Sequence, residues 1–206
     1  MEQYKEAFEK FINEDDSLDP LIKMALMHYQ FEAIHPFLDG NGRLGRLMIA
    51  LYLANFGLLY KPALYLSDYF ERNKTQYVDN LMAVRESNKM KQWLVFFLFG
   101  VLETAGNSIQ VFKDILALKA RIDTEVLPYF STRRQDNAQL LIQKLYEVPV
   151  TSIKGVSRAL NLKTNTASAL VNDFVQHGVL HELTGKQRYR TFWFKEYFEI
   201  FARERR

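Results

Sequence analysis

"AIHPFLDGNGRLGRL", Ala33 to Leu47, gathers a histidine, an acid, three glycines, an asparagine and two arginines between two runs of helical apolar spacing. Gly40, Gly42 and Gly45 satisfy G-x-G-x-x-G, so two phosphate-binding folds have to be tested against the surroundings. A dinucleotide fingerprint needs a strand before it, a strand-helix-strand setting, and an acid about 20 residues later. Here a helical pattern precedes the glycines, residues 53–65 hold no fitting acid, and no parallel strands are evident. A P-loop fails as well, because no G-K-[ST] follows. The stretch is therefore a turn between two helices of a helical body.

Working outward, Tyr4, Phe8, Phe11 and Ile12 follow helical spacing up to the acid-rich NEDDS. Asp19 is placed to cap a second helix and Pro20 suits its first position. The apolar face of that helix is expected to use Leu21, Ala25, Tyr29 and Ile34, and Pro36 puts His35 at or just past its end. Beyond the glycines, Leu44, Leu47, Met48 and Leu51 predict the inward face of a third helix that stops at Gly57. Further helices are expected at 67–87, capped by Ser67 or Asp68, and at 91–128.

These make a helical domain over 1–130. The polar STRRQDN, 131–137, is expected to be a linker. A second domain over 138–206 then reads as a helix from Ala138 to Tyr146, one from a Thr151 cap to Leu160, and one ending near Gly178. The extended VLHEL and RYRTFWF follow around Thr184-Gly185-Lys186. The fold class predicted is mainly α, a helical bundle followed by a small winged helix-turn-helix domain.

Composition sets outer bounds. The 206 residues are 48% hydrophobic and 25% charged and contain no cysteine, which excludes a disulfide scaffold and a thiolate zinc site and suits a reducing, cytoplasmic setting. The apolar run Leu94 to Leu102 is short of a bilayer span and the N-terminus has no apolar signal region, so no membrane is expected. Net charge is +3, unevenly spread: residues 138–206 carry 11 Lys+Arg against 6 Asp+Glu, or +5, which leaves −2 for residues 1–137.

The chemistry available to the turn is specific. The amides of Gly40, Asn41 and Gly42, at the start of a helix, lack intrahelical partners and point outward at the positive end of its dipole, where anions bind. Arg43 and Arg46 share one helix face and can clamp phosphate oxygens. Asp39 is a hard oxygen ligand placed for Mg²⁺ beside a polyphosphate. His35 is the candidate base, being the nearby group that titrates near neutrality in its ordinary state.

His35, Pro36, Phe37, Asp39, Gly40, Asn41, Gly42, Arg43 and Arg46 fill all nine constrained positions of H-P-F-x-[DE]-G-N-G-R-x-x-R. Residue frequencies of about 5% give such a match by chance on the order of 10⁻¹¹ per starting point. The stretch resembles the Fic family without a substitution. DPLIKMALMHYQFEAIHPF, ALYLSDYFERNKTQYVDNL and the C-terminal segment resemble the bacterial Fic proteins that end in a winged helix. The resemblance implies a Fic-type helical bundle presenting the motif between two central helices. It implies transfer of AMP from ATP to a Ser, Thr or Tyr hydroxyl of a protein target, with pyrophosphate leaving. In that scheme His35 takes the hydroxyl proton, Asp39 holds Mg²⁺, Gly40, Asn41 and Gly42 bind phosphates, and Arg43 and Arg46 hold the β and γ phosphates. Tyr77, on a helix that borders the nucleotide base in the family, is a candidate for adenine contact, with a core position as its alternative. Phe37 is expected to pack into the bundle and anchor the loop.

The sequence departs from the family in two places. Fic enzymes align the target main chain with a β-hairpin flap upstream of the motif, and many carry an inhibitory [ST]-x-x-x-E-[GN]. Residues 1–13 read instead as a bundle helix, and the nearest approach to the inhibitory motif, Ser67 to Glu71, is followed by Arg72. Three explanations are open, a truncated chain, one numbered from partway through a longer protein, or a partner that supplies the missing glutamate; the first two are favoured, with an intact chemical centre and self-modification as one outcome. In the tail, Lys163, Thr164, Asn165 and Thr166 open the presumptive recognition helix and Lys186, Arg188 and Arg190 lie in or near the wing, which invites DNA. Asp173 and the single basic residue near that helix start favour protein recognition or a homodimer over DNA. Two other functions stay open: a winged-helix DNA-binding regulator whose Fic body senses nucleotide, and Fic-type transfer of another phosphate-containing group.

Overall fold

A computed structural model describes residues 2–14, 17–58, 66–186 and 189–203 of the chain. Its contacts divide it into two units, Met1–Ser108 and Ile109–Arg206.

The first unit opens with α1 (Glu2–Asn13) and α2 (Pro20–Ile34). Asp19 accepts a hydrogen bond from the Leu21 amide at 2.8 Å, so the helix start is the one the sequence dictates. The buried side of α2 differs from the expected one. Met24, Ala25, Met27, His28 and Phe31 are buried, whereas Leu21, Tyr29 and Ile34 are only half-buried. The reason is that α2 has neighbours on several sides and sits inside the unit. It ends at His35, whose left-handed backbone (φ 49°) turns the chain away while its amide still bonds to Phe31 O at 3.0 Å.

Next comes α3 (Asn41–Asn55), followed by Phe56 and the left-handed Gly57. Here the expected inward face holds only at Met48, which packs half-buried against the core: Leu44, Leu47 and Leu51 are exposed, and the buried positions are Asn41, Gly45, Ile49, Tyr52 and Leu53. The face that meets α2 carries a glycine where hydropathy looks for a leucine. A Cβ on Gly45 would stand 2.8 Å from Glu32 Oε1 and 3.1 Å from His28 Cε1, so only hydrogen fits at this crossing.

The expected 67–87 helix is two, α4 (Leu66–Arg72) and α5 (Lys74–Ser87), broken at Asn73, whose side chain and amide both bond to Tyr69 O. Ser67 and Asp68 lie in the first turn of α4, where Asp68 pairs with Arg72 at 2.8 Å. The core of the unit is aromatic, with Tyr69, Phe70, Trp93, Phe96 and Phe97 buried and the Trp93 indole donating to Ala25 O at 2.9 Å.

The long α6 (Met90–Arg121) runs through the division between the units. By length and composition alone, Met90–Tyr129 could cross a membrane, with a mean hydropathy of 1.4 over its most apolar 18 residues, which the Leu94–Leu102 run understates. Trp93, Phe96 and Phe97 go into the first core, while Val95, Phe99 and Leu102 stay more than half exposed.

In the second unit α6 passes through a wide turn (Ile122–Val126) and a tight one (Leu127–Tyr129) into α7 (Thr132–Glu147). The stretch expected as a linker, 131–137, is thus the amino end of α7. It is polar because it is the solvent face of an amphipathic helix that buries Ala138, Leu141, Ile142 and Leu145. β1 (Val150–Ser152) leads into α8 (Ile153–Ala159), capped by Ser152 through a 3.1 Å bond from Gly155 N and not by Thr151, which lies in the strand. Then follow α9 (Thr164–Gln176), β2 (His181–Glu182), β3 (Thr191–Trp193) and α10 (Lys195–Arg203), a helix the sequence reading did not foresee. The three strands form one antiparallel sheet in the order β1-β3-β2, with Thr151 and Glu182 both opposite the fully buried Phe192.

Candidate active site

The turn between α2 and α3 is built by one side chain. Asn41, only 2% exposed, accepts a hydrogen bond from the Phe37 amide (3.0 Å) and donates to the Phe37 carbonyl (2.6 Å). An asparagine carries both partners a backbone unit needs, so this amide staples the loop to the first turn of α3. It does the anchoring expected of Phe37, whose ring is instead half exposed. At the tip Leu38 is fully exposed, and Gly40 adopts φ 87°, a left-handed conformation that a side chain would strain.

His35, Leu38, Asp39, Gly40, Asn41, Gly42, Arg43 and Arg46 line one open concavity of about 300 Å³ at the amino end of α3. Seven of the eight residues singled out from sequence as the site are therefore brought together. The His35 ring is exposed there. Among the described residues no hydrogen bond is formed by the amides of Asn41, Gly42 or Arg43, which face outward at the positive end of the helix. The Gly40 amide differs from expectation, since it donates to Asp39 Oδ1 at 2.7 Å. Asp39 Oδ2 lies 3.4 Å from Arg43 Nη2, with the two side chains 94% and 76% exposed, a contact of little energy that an entering ligand can replace.

Tyr77 is the residue not gathered with the others. Its hydroxyl lies 3.0 Å from His28 Nε2, and its ring packs on Phe70 at 4.8 Å within the aromatic core, the alternative that the sequence left open. Burial, with Glu32 nearby, pushes its hydroxyl well above the usual phenol range.

Sequence reasoning missed two polar groups behind the turn. His28 is 1% exposed, lies between the rings of Phe70 and Trp93, and is held by burial down at about 4, hence neutral at pH 7. Glu32, one helical turn on, has a buried Oε1 without a hydrogen-bond partner, and burial raises its carboxyl above the ordinary range against the opposing fields of His35 and Arg46. The signal for both was Gly45, a glycine inside a helical pattern where two helices must approach closely.

An acid that serves Mg²⁺ alongside substrate phosphates needs only one or two carboxylates, and the accessible Asp39 beside free amides fits that demand. Among the described residues no cluster of three His, Cys, Asp or Glu exists that would hold a metal by itself.

The chain is 39% identical over 59 residues to the protein adenylyltransferase fic-1 of Caenorhabditis elegans, covering 28% of this chain and 11% of that protein. It is 42% identical over 59 residues to the protein adenylyltransferase Fic of Drosophila yakuba, covering 28% of this chain and 12% of that one. The alignments thus span about a tenth of these relatives. Among solved structures, a crystal structure of a Fic family protein from Desulfovibrio desulfuricans G20 overlays 94% of this chain and 54% of its own, with 19% identity and a TM-score of 0.49. Residues 1–53, which hold α1, α2, the turn and most of α3, match the Fic/DOC family.

Proposed function

We propose that the turn binds the triphosphate of ATP and that the protein transfers AMP to a hydroxyl side chain of a protein. The observation that carries this reading is the convergence on one concavity of an exposed imidazole, three unpaired amides, two guanidiniums and an accessible carboxylate. The naming of the matched relatives as protein adenylyltransferases supports it.

The phosphates sit on the amides of Gly40, Asn41 and Gly42, the Gly40 amide exchanging Asp39 for phosphate oxygen. Arg43 and Arg46 take the β and γ phosphates, where a planar, permanently charged fork suits the geometry. His35 accepts the proton of the attacking hydroxyl. The new bond joins that oxygen to the α phosphorus, and the bond from the α phosphorus to pyrophosphate breaks. Chemistry of this kind depends on positioning and on neutralising charge as it develops. Asp39 would hold Mg²⁺, which supplies further positive charge to the phosphates.

We read the second unit as a winged helix-turn-helix, a reading supported by its α7-β1-α8-α9-β2-β3 order, and assign it to recruiting protein targets or a second copy of the chain in preference to DNA. Arg190 is held 3.3 Å from Glu182 and over the Phe192 ring at 4.8 Å, and Arg134 pairs with Asp173 at 2.9 Å, so basic groups near α9 are already committed. Arg188 lies outside the described residues.

Intact mass after incubation with ATP and Mg²⁺ tests the reading, and an added AMP moiety on the chain or a supplied protein is the expected result. His35→Ala is expected to keep ATP binding and to lose transfer by about 10²- to 10⁴-fold, the usual contribution of a general base. Undiminished labelling by this variant would remove His35 from the mechanism.

A further inference from the structure

Glu32 is not needed by the reaction just described, yet it occupies the ground beneath it. Its Oε1 is buried without a partner between two glycines of α3, 2.8 Å from where a Gly45 Cβ would stand and 3.9 Å from where a Gly42 Cβ would stand. Arg46 Nη1 lies 3.0 Å from the same Gly42 position, so the carboxylate and the guanidinium flank one α-carbon. Gly42 also carries one of the outward amides of the concavity. An anion held on that amide therefore sits on the same residue that the Glu32 carboxylate approaches.

The groups around Glu32 leave it few ways to respond. On α2, His28 is buried and neutral, and on α5, Tyr77 is half-buried with its hydroxyl 3.0 Å from His28 Nε2. The lasting positive charge beside it comes from Arg46, with the His35 ring also nearby. Both belong to the concavity, and both would be drawn to an incoming polyphosphate. A half-buried carboxylate with one oxygen already shut off from partners, losing its compensation while negative charge arrives nearby, is relieved by taking up a proton.

We propose that Glu32 is a proton-accepting group of the nucleotide site, so that a triphosphate entering the concavity is bound together with a proton taken from solvent onto the Glu32 carboxylate. This rests on the turn being a nucleotide site. Binding linked to proton uptake weakens as pH rises, by up to tenfold per pH unit for one proton. A neutral residue of the same shape at position 32 removes both the linkage and the repulsion.

The test is calorimetric titration of the 206-residue chain with the α,β-methylene analogue of ATP and Mg²⁺, in PIPES and in Tris. Wild type is expected to take up a fraction of a proton per nucleotide at pH 7. Glu32→Gln is expected to lose that uptake, and to bind as tightly as wild type or more tightly at pH 8. Taking the difference between the two proteins at each pH cancels titration of the nucleotide. The idea is overturned if wild type binds without uptake, a result that does not depend on how well the variant folds. It is equally overturned if Glu32→Gln weakens binding by one factor at every pH, or if uptake survives in Glu32→Gln and disappears in His35→Asn. Absence of any nucleotide binding removes the site itself along with this proposal, whereas binding without uptake removes the proposal alone.

Discussion

Asn41 combines two tasks in one residue: its amide faces the concavity while its side chain spans the Phe37 peptide. Asn41→Ala leaves a buried N–H and C=O without partners, at about 1–3 kcal/mol. It is expected to lower the melting temperature and weaken nucleotide binding together, as read by thermal unfolding with and without ATP. The sequence singled out Asn41 for its main-chain amide alone and not for the staple its side chain forms, because an asparagine ahead of a helix also reads as an ordinary cap or turn residue. His28 gives a second residue-scale prediction. Its folded pKa of about 4 lies below the ordinary value of 6.5, so the unfolded chain binds more protons between them. The stability this neutral imidazole confers is whole above pH 6.5 and falls away from there down to pH 4, by about 3 kcal/mol at most. Urea unfolding at pH 7 and pH 5 should show the loss, and His28→Gln should flatten that part of the profile.

Helices were easier to find than to orient. The bounds of α2 and the start of α3 follow from Asp19, Pro20, Pro36 and the glycines, residues whose backbone chemistry acts locally. The inward face of α3 was misread because Leu44, Leu47 and Leu51 outvote a glycine on any scale of apolarity, whereas packing there is governed by the room that the Glu32 and His28 side chains of α2 take up against Gly45. Gly45→Ala tests this directly. The added methyl meets Glu32 Oε1 at 2.8 Å and His28 Nδ1 at 3.2 Å, so the Glu32 carboxylate and the enclosed His28 ring must give way. A loss of about 1–3 kcal/mol by urea unfolding is expected, although alanine favours helix more than glycine does. An unchanged or raised stability would mean that the crossing has slack. The break at Asn73 and the whole of α10 escaped for other reasons. The break at Asn73 rests on a local bond of its side chain to Tyr69 O inside an otherwise continuous helical pattern, whereas α10 depends on partners far away in sequence, with Tyr197 and Ile200 packing into the second core.

Across the molecule, two separate clusters of buried side chains account for the two units, one aromatic and centred on Trp93 and Phe97, the other around Phe174, Phe192 and Phe194. The polar 131–137 stretch suggested a boundary, but polarity marks solvent as readily as it marks a linker, and contacts place the division inside α6. Phe174 has no exposed surface, and Phe174→Ala is expected to cost the second unit about 3–5 kcal/mol. Calorimetric melting should register that loss while ATP affinity at the turn stays at the wild-type value. The lining of the concavity runs from His35 to Arg46, one unbroken stretch of chain. Such a module keeps its internal spacing whatever is inserted, deleted or appended elsewhere, so new cargo-docking segments can be acquired around it freely, while a single residue added between Pro36 and Gly40 would throw every reactive group out of step at once.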